Sequence, residues 1–175
     1  GWRKRNGDAA PAPVAEEKTE AKPEVALTPA ALAAARVAQA KGAGFDRKAY
    51  VAIRDPAALD RWIARAFEKG VVSIATETTS PDPMQAELVG IALAVGPGEA
   101  AYIPLAHVDG DADLFAGTGL VAGQLAAGDV LAKLKPLLEA PGVLKLARDI
   151  KSDWIVLRER GIEMAPLADT MLASY

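Results

Sequence analysis

A chain of 175 residues, a quarter of them charged and 51% hydrophobic, is about one domain long with an ordinary globular balance. The absence of cysteine excludes disulfides, thiolate zinc sites and thiol nucleophiles, and a single histidine makes imidazole-based hydrolysis a poor fit. A net charge of −3 argues against broad electrostatic coating of nucleic acid, and no apolar run approaches the ~20 residues of a membrane span, so any chemistry falls to carboxylates.

The first 44 residues alternate Ala, Pro, Glu and Lys and hold few large apolar side chains. Such a segment cannot offset its ordering entropy by burial, so residues 1–44 read as a flexible linker, with a possible transient helix from Pro29 to Lys41. The basic opening around Arg3 and Lys4 leads into no apolar stretch and does not read as a signal peptide.

From Phe45 the pattern is that of an α/β domain running to Tyr175. Ala49 to Ile53 reads as a strand. Asp55 and Pro56 then open a helix as N-cap and first residue, with Leu59, Trp62, Ile63, Ala66 and Phe67 on one face and Gly70 as its stop. Val71 to Thr76 suits a buried central strand, and Pro81 and Pro83 mark a turn. Leu88 to Val95 is a second strand, and Gly96-Pro97-Gly98 turns the chain into a third at Ala101 to Leu105. The acidic, glycine-rich stretch from His107 to Gly128 reads as a mobile loop, in which Asp109, Asp111 and Asp113 form a solvated surface and His107 is a loop residue. A helix over Val130 to Leu138, a strand over Val143 to Ala147 and a helix over Ile150 to Arg160 follow, with Gly161 ending the last. Three successive strands, then alternating helix and strand, predict a mixed sheet flanked by helices.

Two carboxylates occupy places that call for a reason. Ser73, Ala75 and Glu77 alternate onto one side of their strand, so Glu77 projects from its C-terminal end, where ligand sites of α/β sheets gather. Asp153 falls on the helix face defined by Ile150, Trp154 and Leu157. A carboxylate on an apolar face costs several kcal/mol unless it is hydrogen-bonded, paired or bound to a metal. Its simplest satisfaction is a first-turn position at the helix N-terminus, with Asp149 as N-cap.

Several segments taken together resemble a known family. Tyr50 to Ile53, Val72 to Ser80, Glu87 to Ile91, Ala101 to His107, Leu134 to Glu139, Asp149 to Asp153 and Asp169 to Tyr175 occur in the order and near the spacing of the proofreading 3′–5′ exonuclease domain of bacterial family A DNA polymerases, from about Phe45 to the last residue. The resemblance implies a ribonuclease-H-like fold, here truncated at its C-terminus before the third motif. It also implies two Mg²⁺ or Mn²⁺ ions held about 4 Å apart by four carboxylates, and a single-stranded DNA primer end as partner. Further implications are a polymerase domain in the same parent chain, a bacterial cytoplasmic setting and a monomeric fragment.

Carried onto this sequence, the resemblance makes Glu77 and Asp153 the catalytic, metal-holding acids, and places Thr76, Thr78, Asp149 and Ser152 against the DNA strand. It also shows departures. The first acid of the family's Asp-x-Glu is Ala75, the Asn and aromatic of the second motif are Asp149 and Ser152, Pro81 replaces a Leu, and the third motif's Tyr and Asp are absent. The expectation is an inactive fragment with weak or no metal binding, retaining a role as scaffold or primer-end binder. Two rivals are an active two-metal exonuclease in which Asp149, one helical turn before Asp153, replaces the lost acid, and a pure interaction module.

Overall fold

The computed structural model describes residues 28–42, 46–108 and 119–175. Of the flexible linker expected over 1–44, residues 1–27, 43 and 44 fall outside that description, as do the domain's expected start at Phe45 and the three solvated acids at 109–113. The chain divides into two units, Gly1–Gln39 and Ala40–Tyr175. In the first begins a helix, α1 (Pro29–Gly42), whose opening turn is capped by Thr28: its hydroxyl accepts from Ala31 N–H at 3.1 Å. Leu32 and Val37 on this helix are exposed.

The second unit carries β1 (Val51–Ala52), α2 (Pro56–Lys69), β2 (Val71–Thr78), β3 (Leu88–Gly96), β4 (Glu99–Pro104), α3 (Ala127–Leu138), β5 (Leu144–Ala147), α4 (Ile150–Arg158) and β6 (Leu167–Asp169). The strands form one six-stranded sheet in the order β1-β4-β3-β2-β5-β6. β3 runs antiparallel to its neighbours β2 and β4, whereas β1 is parallel to β4, β5 to β2, and β6 to β5. The C-terminal ends of every strand but β3 therefore lie along one edge.

Local sequence accounts for most of these elements. The Asp55 carboxylate accepts from Ala57 and Ala58 N–H at 2.9 and 3.1 Å, with Pro56 in the first position, and so starts α2. Gly70 ends it in the left-handed region at φ 66°, a conformation that suits a residue without Cβ. Several predicted boundaries move. The strand expected over 49–53 shrinks to Val51–Ala52 after a 3₁₀ turn at Arg47–Ala49, because it is an edge strand paired only with β4. The helix expected from Val130 begins three residues earlier, at Ala127. α4 stops at Arg158, two residues short. Within the expected loop, Val108 and Leu120 make an antiparallel bridge. β6 has no counterpart among the predicted elements, being only three residues long.

Burial divides the sheet into two faces. Val72 and Ile74 of β2, Ile91, Leu93 and Val95 of β3, and Ala101 and Ile103 of β4 belong to one buried core with Leu59 of α2, Leu134 and Leu137 of α3, and Val156 and Leu157 of α4. The alternate residues Ser73, Ala75 and Glu77 are exposed, and Ala92, Ala94 and Ala100 are half-buried. The covered face also contains Lys145, fully buried on β5. Its ammonium donates to Ala140, Val143 and Ala165 carbonyls at 2.7, 2.8 and 2.6 Å, which satisfies all three N–H groups. Burial pulls its pKa below the ordinary lysine value.

Candidate active site

Glu77 is the penultimate residue of β2, at the edge where the parallel strands finish, and the ladder to β3 shifts register between Glu77 and Thr78. Such an irregularity bends the strand and re-aims the side chains beside it. Glu77 and Ala75 share the exposed face, as strand alternation requires. Thr76 points to the covered face, where α4 lies.

Asp153, in the first turn of α4, is 8% exposed. One of its oxygens, Oδ1, accepts from both the backbone N–H and the hydroxyl of Thr76, each at 2.7 Å. That answers why a carboxylate sits on an apolar helix face: it ties the first turn of α4 to the central strand. Burial raises its pKa. The two Thr76 bonds oppose this, and the negative charges of Asp149 and Glu77 add to it. The charges of Glu77 and Asp149 thus act on Asp153 at this edge of the sheet. The strand residue in contact with Asp153, however, is Thr76 and not Ala75.

The expected N-cap of α4 needs correction. Asp149 adopts a left-handed conformation, φ 54° and ψ 53°, and its side chain makes no capping bond. The N-terminal donors are instead taken by Asp169 at the end of β6. Its carboxylate accepts from Asp149 and Ile150 N–H at 3.2 and 3.0 Å, and from Met171 and Leu172 N–H at 2.8 and 3.3 Å. Desolvation would raise the Asp169 pKa, but these four backbone donors outweigh it and hold the group below the ordinary value. A left-handed turn is compatible with Asp or Asn, so Asp149 forms the sharp entry to α4 rather than its cap. Ser152 is half-buried in the same turn, its N–H donating to Asp149 O at 3.3 Å. The Thr78 hydroxyl donates to Ser80 O at 3.0 Å and fixes the start of the following turn.

Sequence reasoning missed a second group beside Glu77. Gly90 of β3 stands opposite Glu77, and the Tyr102 hydroxyl lies where a Cβ on Gly90 would be. A side chain at position 90 would have to displace the Tyr102 ring. Tyr102 Oη and His107 Nε2 are hydrogen-bonded at 2.7 Å, with their rings edge to face. Burial first, and the Glu77 charge second, push the Tyr102 phenol up. The available signal was the glycine within an otherwise apolar strand.

Among the described residues no group of three or more carboxylate or histidine side chains is placed to hold a metal ion. Glu77 and Asp153 alone do not fit a two-metal centre, since one Asp153 oxygen is already engaged by Thr76 and the strand position beside Glu77 carries a methyl group.

A 3′–5′ exonuclease family model matches residues 50–175. The chain belongs to this family. Among curated proteins, DNA polymerase I of Rhizobium leguminosarum is 45% identical over 97% of this chain and 17% of its own length. DNA polymerase I of Pseudomonas aeruginosa is 41% identical over 72% of this chain and 13% of its own length. The chain thus spans less than a fifth of either relative. Among solved structures, RNase D of Escherichia coli, an exoribonuclease involved in structured RNA processing, superposes with a TM-score of 0.51 at 21% identity, covering 71% of this chain and 28% of its own. At that identity the likeness concerns the fold, a mixed sheet flanked by helices as the order of elements predicted, of the ribonuclease-H-like kind that the family resemblance implied.

Proposed function

We propose that this chain is the 3′–5′ exonuclease-type domain of a bacterial DNA polymerase I, acting in DNA replication and repair without nuclease turnover of its own. It serves as a scaffold for a polymerase domain in the same parent chain and receives a frayed, single-stranded primer end. The observation that carries this reading is the pairing at the edge of β2. Ala75 presents a methyl where the family's first carboxylate belongs, while Asp153 spends one oxygen on both donors of Thr76. Glu77, Thr78, Asp149 and Ser152 then border a strand-binding surface, with Thr76 locked beneath it and no completed acid set above. Mg²⁺ or Mn²⁺ binds weakly if at all. The domain begins near Phe45.

The test is release of mononucleotides from a 3′-labelled oligothymidylate in Mn²⁺, set beside binding of the same oligonucleotide without metal. Binding with no release is expected. Turnover comparable to an intact exonuclease overturns the inactive reading. One observation favours a rival: Asp149 is close enough to raise the pKa of Asp153. If Asp149 supplies the missing ligand, calorimetry shows a saturable Mn²⁺ site that Asp149→Ala abolishes.

A further inference from the structure

Next to the candidate active site, on the same exposed face and the same edge of the sheet, a cavity of about 340 Å³ opens between the ends of β1 and β4. Arg54, Tyr102, Pro104, His107 and Gln124 line it. Its polar groups are fixed in advance. Gln124 accepts from His107 N–H at 2.7 Å and donates to His107 O and Val121 O at 2.8 and 2.9 Å, so the backbone of His107 is clamped. The His107 ring is then held by Tyr102, which itself lies over Gly90. Arg54 donates one bond, from Nη1 to Ala122 O at 3.1 Å. Among the described residues it joins no ion pair. A guanidinium carries five N–H donors in a planar fork suited to phosphate oxygens.

The electrostatic arrangement of this edge is polar from end to end. Glu77, Asp149 and Asp153 make one end acidic, and Arg54 stands at the other. Between β1 and β2 lie β4 and β3, three strand spacings or about 14 Å. More than one nucleotide of extended strand is needed to cross that distance. Tyr102 bridges the two ends: its hydroxyl lies over Gly90, opposite Glu77, and it also borders the cavity. Paired with His107, it adds an aromatic surface on which a base can stack.

We propose that the cavity lined by Arg54, Tyr102 and His107 seats an internal phosphate of a single-stranded nucleic acid whose 3′-terminal nucleotide lies at Glu77. The proposal rests on the primer-end reading and adds to it a second anchoring point with a fixed spacing. Arg54 supplies the charge, and the Tyr102–His107 pair supplies the wall.

The chain's single histidine makes His107 a unique reporter, since its imidazole C–H signals need no assignment by mutation. The experiment combines fluorescence anisotropy with a labelled five-nucleotide and a labelled two-nucleotide oligothymidylate, and imidazole NMR with the unlabelled forms and with inorganic phosphate. Arg54→Gln should bind the longer strand about fivefold to tenfold more weakly and bind the shorter one unchanged. Its log–log salt slope on the longer strand should fall by about one. Arg54→Lys should recover part of the loss, and only the longer strand should shift the His107 signals. Equal affinity of Arg54→Gln and the unmodified chain for the longer strand, with static His107 signals, overturns the cavity assignment and leaves the primer-end reading standing. An equal loss on the shorter strand overturns the spacing. Saturation of the His107 shift by inorganic phosphate at the strand's affinity shows a free-anion site and also overturns the proposal. Absence of any strand binding by the unmodified chain removes the primer-end reading together with the proposal.

Discussion

The two faces of the sheet are made from alternate residues of the same strands and carry different burdens. On the covered face, Val72, Ile74, Ile91 and Leu93 pack against three helices, and even the lysine there has every donor satisfied. On the open face stand Ser73, Ala75, Glu77, Ala92 and Ala94, small or exposed. On the proposed reading, Ala75 and Glu77, at the positions of the family's first two acids, belong to the open face and to the sheet's edge. A carboxylate replaced on the open face, as by Ala75 on that reading, leaves the core intact, and the fold persists without it. Asp153 joins the two, a candidate site residue that also binds an element of the covered side to the central strand.

The contrast is broken most directly at Lys145. Lys145→Ala takes the donor from three carbonyls, that of Val143 buried and those of Ala140 and Ala165 partly so, and opens a cavity, so a loss of about 2–4 kcal/mol in urea denaturation is expected. A cost near zero would mean that water reaches these carbonyls and that the covered face is open at β5.

Two adjacent positions on β2 sharpen the contrast. Ile74→Ala should cost about 2–4 kcal/mol, as large-to-small changes in packed cores do, whereas Ser73→Ala should stay within about 0.5 kcal/mol. Comparable losses at the two positions would show that something covers the open face.

The link between the faces is tested at Thr76. Thr76→Val keeps shape and the backbone N–H bond but removes the hydroxyl donor to a largely buried carboxylate, with an expected loss of about 1–3 kcal/mol. The pH dependence has a definite sign. Asp153 has a folded-state pKa above its ordinary 3.8, so the folded chain holds its proton longer than the unfolded chain. Its contribution is fully present below the ordinary value and is lost as pH rises through the raised one. Asp169, shifted the other way, contributes above the ordinary value and loses that contribution as pH falls through its lowered pKa. Subtracting the stability profile of Asp153→Asn, whose carbonyl oxygen still accepts from Thr76, isolates the first effect. A difference profile that rises with pH would contradict the burial of Asp153.

A small effect is also expected from a charge added to the open face. Ala75→Asp places a second carboxylate beside Glu77 and should lower metal-free stability by less than about 1 kcal/mol, since one side of that position faces solvent. Mn²⁺ should recover the loss by binding the folded state, without nucleotide release. Melting temperatures with and without Mn²⁺ measure this. The absence of any metal-dependent gain would mean that Ala75 does not border the acidic edge.

Local signals were enough for much of the fold and for half of the site. The Asp55 cap, the Gly70 stop, the apolar alternation of β2 and β3 and the apolar face of α4 are each encoded within a few residues, so the sequence by itself determined those elements and marked Glu77 and Asp153 as acids in need of a reason. The resemblance of ordered segments determined the family. Only the tertiary structure decided the rest. That Asp169 rather than Asp149 caps α4 depends on a contact between residues 20 apart on different elements. That Lys145 is interior depends on carbonyls from two loops meeting at its ammonium. That Asp153 addresses Thr76 rather than Ala75 depends on which face of β2 the helix covers, a choice 77 residues away in the chain. Periodicity reports which residues share a face. It cannot report what that face will meet, because the partner is set by sheet order and by packing of distant segments.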